Sequence, residues 1–226
     1  MRSKPSRSHS VSQALSAART KGLAGGIALP LALSFVVLSG SAAEAVVLCP
    51  SQPETECSVA GIGTLRLTTP RNPERRRLSI RWARGQELTK EDIGRPDIVT
   101  TYAICIYDEI ANEPQLVFEA NVPAGSDWDE PLRAPGYRYD DFLAESSGIL
   151  FGRALPGSED RSKIAFRGLG EQVPETTKSA DPKTFLNVDG FVTGQILNDE
   201  GYCATLSFGQ SDVTHNQKRR FRAAFD

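Results

Sequence analysis

Residues 77–83 read Arg77-Leu78-Ser79-Ile80-Arg81-Trp82-Ala83, and this alternation decides the fold class. Successive side chains of a strand point to opposite faces, so Leu78, Ile80 and Trp82 share one side and Ser79 and Arg81 the other. The same period of two recurs on either side of it. Thr64–Thr69 alternates, and Gln115–Val122 places Leu116, Phe118, Ala120 and Val122 on one face. Tyr202–Phe208 does so with Tyr202, Ala204, Leu206 and Phe208, and Arg219–Phe225 sets Phe221, Ala223 and Phe225 against Arg220 and Arg222. Gly148–Arg153, Ser162–Arg167 and Gly190–Leu197 follow the same style, while Thr101–Asp108 is densely apolar, as a strand buried on both sides would be.

Nine strands at short spacing, separated by Gly and Pro, predict an all-β fold, a β-sandwich or jelly-roll-like domain. The one helical expectation is a short turn around Thr89–Gly94, with Thr89 as its N-cap and Glu91 and Asp92 in its first turn. Gly136–Phe142 is ambiguous between strand and loop, and Glu171–Lys183, rich in Pro, Thr and charge, reads as an exposed loop or crossing.

The N-terminus has a different character. Arg2, Lys4, Arg7, Arg19 and Lys21 precede an apolar run from Leu23 to Leu38, and small residues lead to Ala43-Glu44-Ala45. This is the pattern of a signal peptide, residues 1–45, with cleavage after Ala45. The run is 16 residues long and broken by Pro30, short of the roughly 20 that a membrane anchor needs. The expected organisation is therefore a signal peptide (1–45), an N-terminal extension with Cys49 and Cys57 (46–62) and a β-sandwich domain (63–226). The expected location is extracytoplasmic, either periplasmic or secreted, and the mature chain should not span a membrane.

Export would carry Cys49, Cys57, Cys105 and Cys203 into an oxidising compartment, where three pairings are open. The short spacing favours Cys49–Cys57, which leaves Cys105 and Cys203 to join two distant strands. A zinc site would want a tighter arrangement such as C-x-x-C, which is absent.

Charge and residue counts exclude whole classes of chemistry. The full chain carries 26 basic and 28 acidic residues; without the leader the balance is 21 to 27, a net of −6. That argues against a dedicated nucleic-acid binder, which needs excess cations to displace counterions. Only His215 lies beyond the leader, so neither a two-histidine metal centre nor a histidine-based triad elsewhere is available. There is no G-x-S-x-G elbow and no phosphate-cradling glycine loop.

Three features remain as candidate binding elements. Asp127-Trp128-Asp129-Glu130 is the densest acidic cluster, able to offer hard oxygens to calcium and an aromatic face to a sugar ring. The bland alternative is a solvated loop with Trp128 tucked onto the sandwich. Two basic stretches, Arg71–Arg84 and Lys218–Arg222, could meet an anionic surface, or could simply be turns and wet strand faces.

The stretch Thr64–Phe225 resembles an uncharacterised β-rich module of secreted bacterial proteins. The resemblance rests on Arg77-Leu78-Ser79-Ile80 after a Pro-x-Arg-Arg-like turn, Ile104-Cys105-Ile106-Tyr107-Asp108 and Val122-Pro123-Ala124-Gly125. It continues through Gly136-Tyr137-Arg138-Tyr139, Lys163-Ile164 and Tyr202-Cys203-Ala204-Thr205-Leu206-Ser207-Phe208. It implies no activity or cofactor, and it favours a Cys105–Cys203 link. The resulting expectation is an exported, non-enzymatic β-sandwich with a structural or interaction role, its partner an envelope protein or a glycan. The alternatives are a calcium-assisted carbohydrate-binding module using Asp127, Trp128, Asp129 and Glu130, and a glycan hydrolase working through two carboxylates.

Overall fold

The computed structural model describes residues 49–132, 134–177, 183–187 and 190–226. The expected signal peptide and its cleavage site lie outside the described residues. So do residues 133, 178–182 and 188–189.

Thirteen strands and one short α-helix occur among the described residues. In chain order they are β1 (Ser58–Val59), β2 (Ile62–Thr68), β3 (Arg77–Ala83), α1 (Lys90–Ile93), β4 (Tyr102–Ile110) and β5 (Glu113–Val122). Then follow β6 (Trp128–Asp129), β7 (Tyr137–Asp140), β8 (Ile149–Leu155), β9 (Lys163–Leu169), β10 (Val192–Asn198), β11 (Cys203–Phe208), β12 (Val213–Gln217) and β13 (Arg220–Phe225). They form two sheets packed as a sandwich, one ordered β1-β11-β10-β4-β5 and the other β12-β13-β2-β3-β9-β8-β7-β6. Every pairing is antiparallel except the parallel β1–β11 contact. Helix α1 begins at Thr89, whose side chain accepts from the Asp92 N–H while the Asp92 carboxylate accepts from the Thr89 N–H, and Gly94 ends it at φ 74°. This is the capped turn expected there.

The nine expected strands all form, and four more complete the sheets. β1 and β6 are two residues long, too short to show a period. β7 offers only two alternations, and β12 (Val-Thr-His-Asn-Gln) is an edge strand with almost no apolar signal.

The core lies between the sheets. Leu65, Leu67, Ile80, Trp82 and Phe166 face it from the larger sheet, and Tyr102, Ile104, Ile106, Leu206 and Phe208 from the smaller, all essentially inaccessible to solvent. Aromatic rings bridge the layers: Phe208 meets Phe225 at 5.3 Å between centroids, and Tyr102 meets Phe166 at 5.8 Å. Backbone approach is close enough that a Cβ on Gly63 would lie 2.4 Å from the Phe225 ring and 2.8 Å from Leu206.

The cysteines pair otherwise than expected. Cys49 is bonded to Cys105 and Cys57 to Cys203. Cys105 is in β4 and Cys203 in β11, with β10 between them. Strands once removed lie roughly 9–10 Å apart, beyond the ~7 Å Cα separation a disulfide tolerates. Each instead bonds to the N-terminal segment, which runs across the outer face of the smaller sheet. Hydrogen bonds sew the segment down: Gln195 donates to the Glu54 carbonyl (2.7 Å) and accepts from its N–H (2.9 Å). Tyr107 donates to the Pro50 carbonyl (2.9 Å), and Trp82 donates to Ser58 (2.9 Å). The disulfides point to an oxidising, extracytoplasmic setting. No helix among the described residues is long and apolar enough to cross a membrane.

Candidate functional site: an arginine-lined sheet face

Alternation builds this site directly. Once Leu65, Leu67, Leu78, Ile80, Trp82, Ile164, Phe166, Phe221 and Ala223 point inward, the residues between them must point out. In the larger sheet those residues are mostly arginines: Arg66 on β2, Arg77 and Arg81 on β3, Arg167 on β9, Arg153 on β8, Arg220 and Arg222 on β13 and Arg138 on β7. All eight are exposed, and half-buried Lys163 joins them on β9. The strand register then sets them in rows. One runs His215–Arg222–Arg66–Ser79–Arg167–Phe151, the next Thr64–Arg81–Ala165–Arg153–Arg138. Six strands spaced by 4.7–4.9 Å make this face about 24 Å wide.

The distribution of acids is equally one-sided. Strands β12, β13, β2, β3, β9 and β8 are consecutive in the sheet and contain no Asp or Glu at all. Asp140 and Asp129 appear only at the β7–β6 edge. The smaller sheet shows the reverse: Asp108, Glu109, Glu113 and Glu119 lie in its strands, and it has no Lys or Arg. The sandwich is electrically polarised across its thickness.

Neutralisation within the molecule is slight. The ion pairs among the described residues use Arg76, Lys90, Arg95 and Arg138, so of the nine face cations only Arg138 has one, to Asp140. Arg222 stands directly opposite Arg66, and Arg153 opposite Arg138. Like charges so placed have Cβ atoms about 4.5–5.5 Å apart and destabilise a sheet. Lys163 registers the crowding: burial lowers its pKa, and the charges of Arg81, Arg153 and Arg167 push the same way. At the β12–β13 edge the face continues into an open hollow of about 790 Å³, lined in part by Arg71, His215, Lys218, Arg219 and Arg220, with no carboxylate among the described residues of its wall.

The other face of the sandwich is covered. Residues 49–59 lie on the smaller sheet, held by the two disulfides and the β1–β11 pairing, so the larger sheet presents the open face.

The acidic quartet read from the sequence does not assemble into a ligand platform. Trp128 is buried, at 4% exposure, and its indole N–H donates to the Pro123 carbonyl at 2.8 Å. Its ring packs on Tyr139 (5.2 Å), Tyr102 (5.5 Å) and Phe166 (6.1 Å), leaving no face for a sugar. Asp127 offers its backbone carbonyl to the Asp140 N–H, Asp129 stands opposite Arg138, and Glu130 is bound to Lys90. Among the described residues no group of three or more metal-ligating side chains is placed to hold an ion. His215 is a half-buried strand residue opposite Arg222. The arginine face itself was half visible in sequence, as two basic stretches. What joins them is the register, which inserts β2 between β13 and β3 and adds β9 and β8.

No protein-family model, no curated protein and no solved structure matches this chain. Of the resemblance to a secreted bacterial module, the β-rich two-sheet architecture stands, without a family assignment.

Proposed function

We propose that this protein is a non-enzymatic interaction module of the extracytoplasmic space, and that its arginine-lined sheet face binds an anionic partner at the envelope or outside the cell. The observation that carries this reading is the segregation of charge: nine cations on one face, six neighbouring strands free of acid, in a chain whose overall charge is negative. Sheet residues facing solvent have wide latitude in side chain, and charge of either sign keeps an edge soluble. A single sign, with arginines directly opposed across strands, costs stability and concentrates a positive field. Arginine also suits the task, because its planar fork binds phosphate, sulfate and carboxylate through two parallel hydrogen bonds.

The non-enzymatic part draws on the same surface. Among the described residues, the hollow at the β12–β13 edge presents cations and His215 without a carboxylate to act as acid, base or nucleophile. The disulfides support the location, as does the sequence pattern of residues 1–45 when read as an export signal.

Titration with dextran sulfate and inorganic polyphosphate, with neutral dextran as control, tests the proposal. Both polyanions should bind, and raising salt from about 50 to 200 mM should weaken binding by tenfold or more, as counterion release requires. The double variant Arg66→Gln/Arg167→Gln should bind about tenfold more weakly with its melting temperature unchanged or raised. A protein that ignores both polyanions at low salt, or a variant that binds them undiminished, would overturn the reading.

A further inference from the structure

The cationic face does not end uniformly. At its β8–β7 corner stand four large apolar side chains in contact with solvent: Phe142 (79% exposed), Leu143 (77%), Phe151 (42%) and Leu169 (39%). Phe151 lies opposite Arg167 and two residues from Arg153, and Leu169 follows two residues after Arg167 on the same side of β9. The Phe142 ring stands edge-on to Phe151, 6.4 Å between centroids at 89°.

The turn that carries Phe142 and Leu143 is braced. The buried carboxylate of Asp141 accepts the N–H groups of Leu143 (2.9 Å) and Ala144 (2.8 Å), and Ala144 sits at φ 54°. The two apolar side chains at the tip are thus held outward, although Tyr139 and Asp141, three residues and one residue before Phe142, are buried. Nearby acids are largely occupied: Asp140 is bound to Arg138 and Asp141 to backbone, leaving Glu145 as the turn's exposed carboxylate.

We infer that the anionic partner is a lipid bilayer surface, with the arginine rows lying on acidic headgroups and Phe142 and Leu143 dipping into the headgroup–acyl boundary. This rests on the reading of the face as an anion-binding surface, and deepens it. A soluble polyanion satisfies the arginines but offers nothing to a braced pair of apolar side chains. An acidic bilayer satisfies both, since basic residues gather at its surface field and aromatic and aliphatic side chains partition into its interface.

The test uses the full disulfide-bonded chain, mixed with phosphatidylcholine vesicles alone or with about 30 mol% phosphatidylglycerol. Comparing variants of one chain cancels whatever residues 1–48 contribute. The protein should sediment with the acidic vesicles at least about tenfold better than with the neutral ones. Phe142→Ser/Leu143→Ser should lose about tenfold in vesicle affinity while binding dextran sulfate within about twofold of the parent. Phe142→Trp should show a blue-shifted emission on adding acidic vesicles. Equal sedimentation with both vesicle types, or a serine double variant that binds acidic vesicles like the parent, would overturn the membrane assignment. Retained dextran sulfate binding would then point to an anionic polymer, whereas loss of that binding as well would remove the underlying reading.

Discussion

Asp108 is the residue whose environment most clearly contradicts its chemistry. It has no solvent exposure; Oδ2 accepts from the Asn187 N–H at 2.7 Å, and Oδ1 has no hydrogen-bond partner among the described residues. Burial pushes its carboxyl up to about 6, with the charge of Glu109 adding to the effect and the backbone N–H groups of Asn187 and Glu109 opposing it. The folded state therefore holds this proton more tightly than the unfolded chain, where an aspartate titrates near 3.9. Stability from this group is complete below that value and is lost as pH rises through about 6. Asp108→Asn removes the charge while keeping an acceptor for Asn187. Denaturant melts should show the parent losing about 2 kcal/mol relative to the variant between pH 4.5 and 7.5. A gap between parent and variant that does not change with pH would refute the assignment. Trp128 makes a related point about legibility: its acidic neighbours suggested solvent, but one indole buries far more apolar surface than the flanking carboxylates need, and those simply turn outward. Trp128→Ala should cost about 3–5 kcal/mol, read as a lowered urea midpoint with unchanged slope.

Between the residue and the fold, the strap formed by residues 49–59 is the element that was least legible. Strands announced themselves because one buried face forces a period of two and two buried faces a continuous apolar run, and all nine so marked formed. The strap has no such period. Its affiliation depends on which strands flank β10, a long-range fact that no local spacing encodes, and so the nearest cysteines in sequence were wrongly matched. The same holds for β12, whose polar residues are fixed by pairing with β13 alone. Because the links span 56 and 146 residues, chain-entropy reasoning gives each about 4–5 kcal/mol taken alone. Cys57→Ser/Cys203→Ser should therefore lower the melting temperature by about 10 °C or more. Cys49→Ser/Cys105→Ser should do much the same. Peptide mapping without reductant should recover Cys49 joined to Cys105 peptides; a Cys49–Cys57 fragment would disprove the strap.

At the scale of the whole molecule, net charge and charge arrangement give opposite answers. A net of −6 for residues 46–226 argued against a dedicated nucleic-acid binder, yet field strength at a surface depends on nearby charges, because salt screens beyond about 8 Å. Sorting arginines to one layer and carboxylates to the other gives a positive face to an acidic protein. That arrangement stores repulsion: Arg66 and Arg222 are opposed, and neither has an ion pair among the described residues. Relieving it should stabilise the fold. Arg222→Gln should raise stability by several tenths of a kcal/mol to about 1 kcal/mol at low ionic strength. The gain should fade toward zero in about 1 M sodium chloride, where the Debye length is near 3 Å. The same logic predicts that a bound polyanion raises the parent's melting temperature more than the variant's, since ligand that favours the native state stabilises by mass action. Measured together, the two effects separate a face selected for binding from one that is merely tolerated. If Arg222→Gln lowers stability at both salt concentrations, the arginines are packing for their aliphatic stems, and the argument from stored repulsion fails.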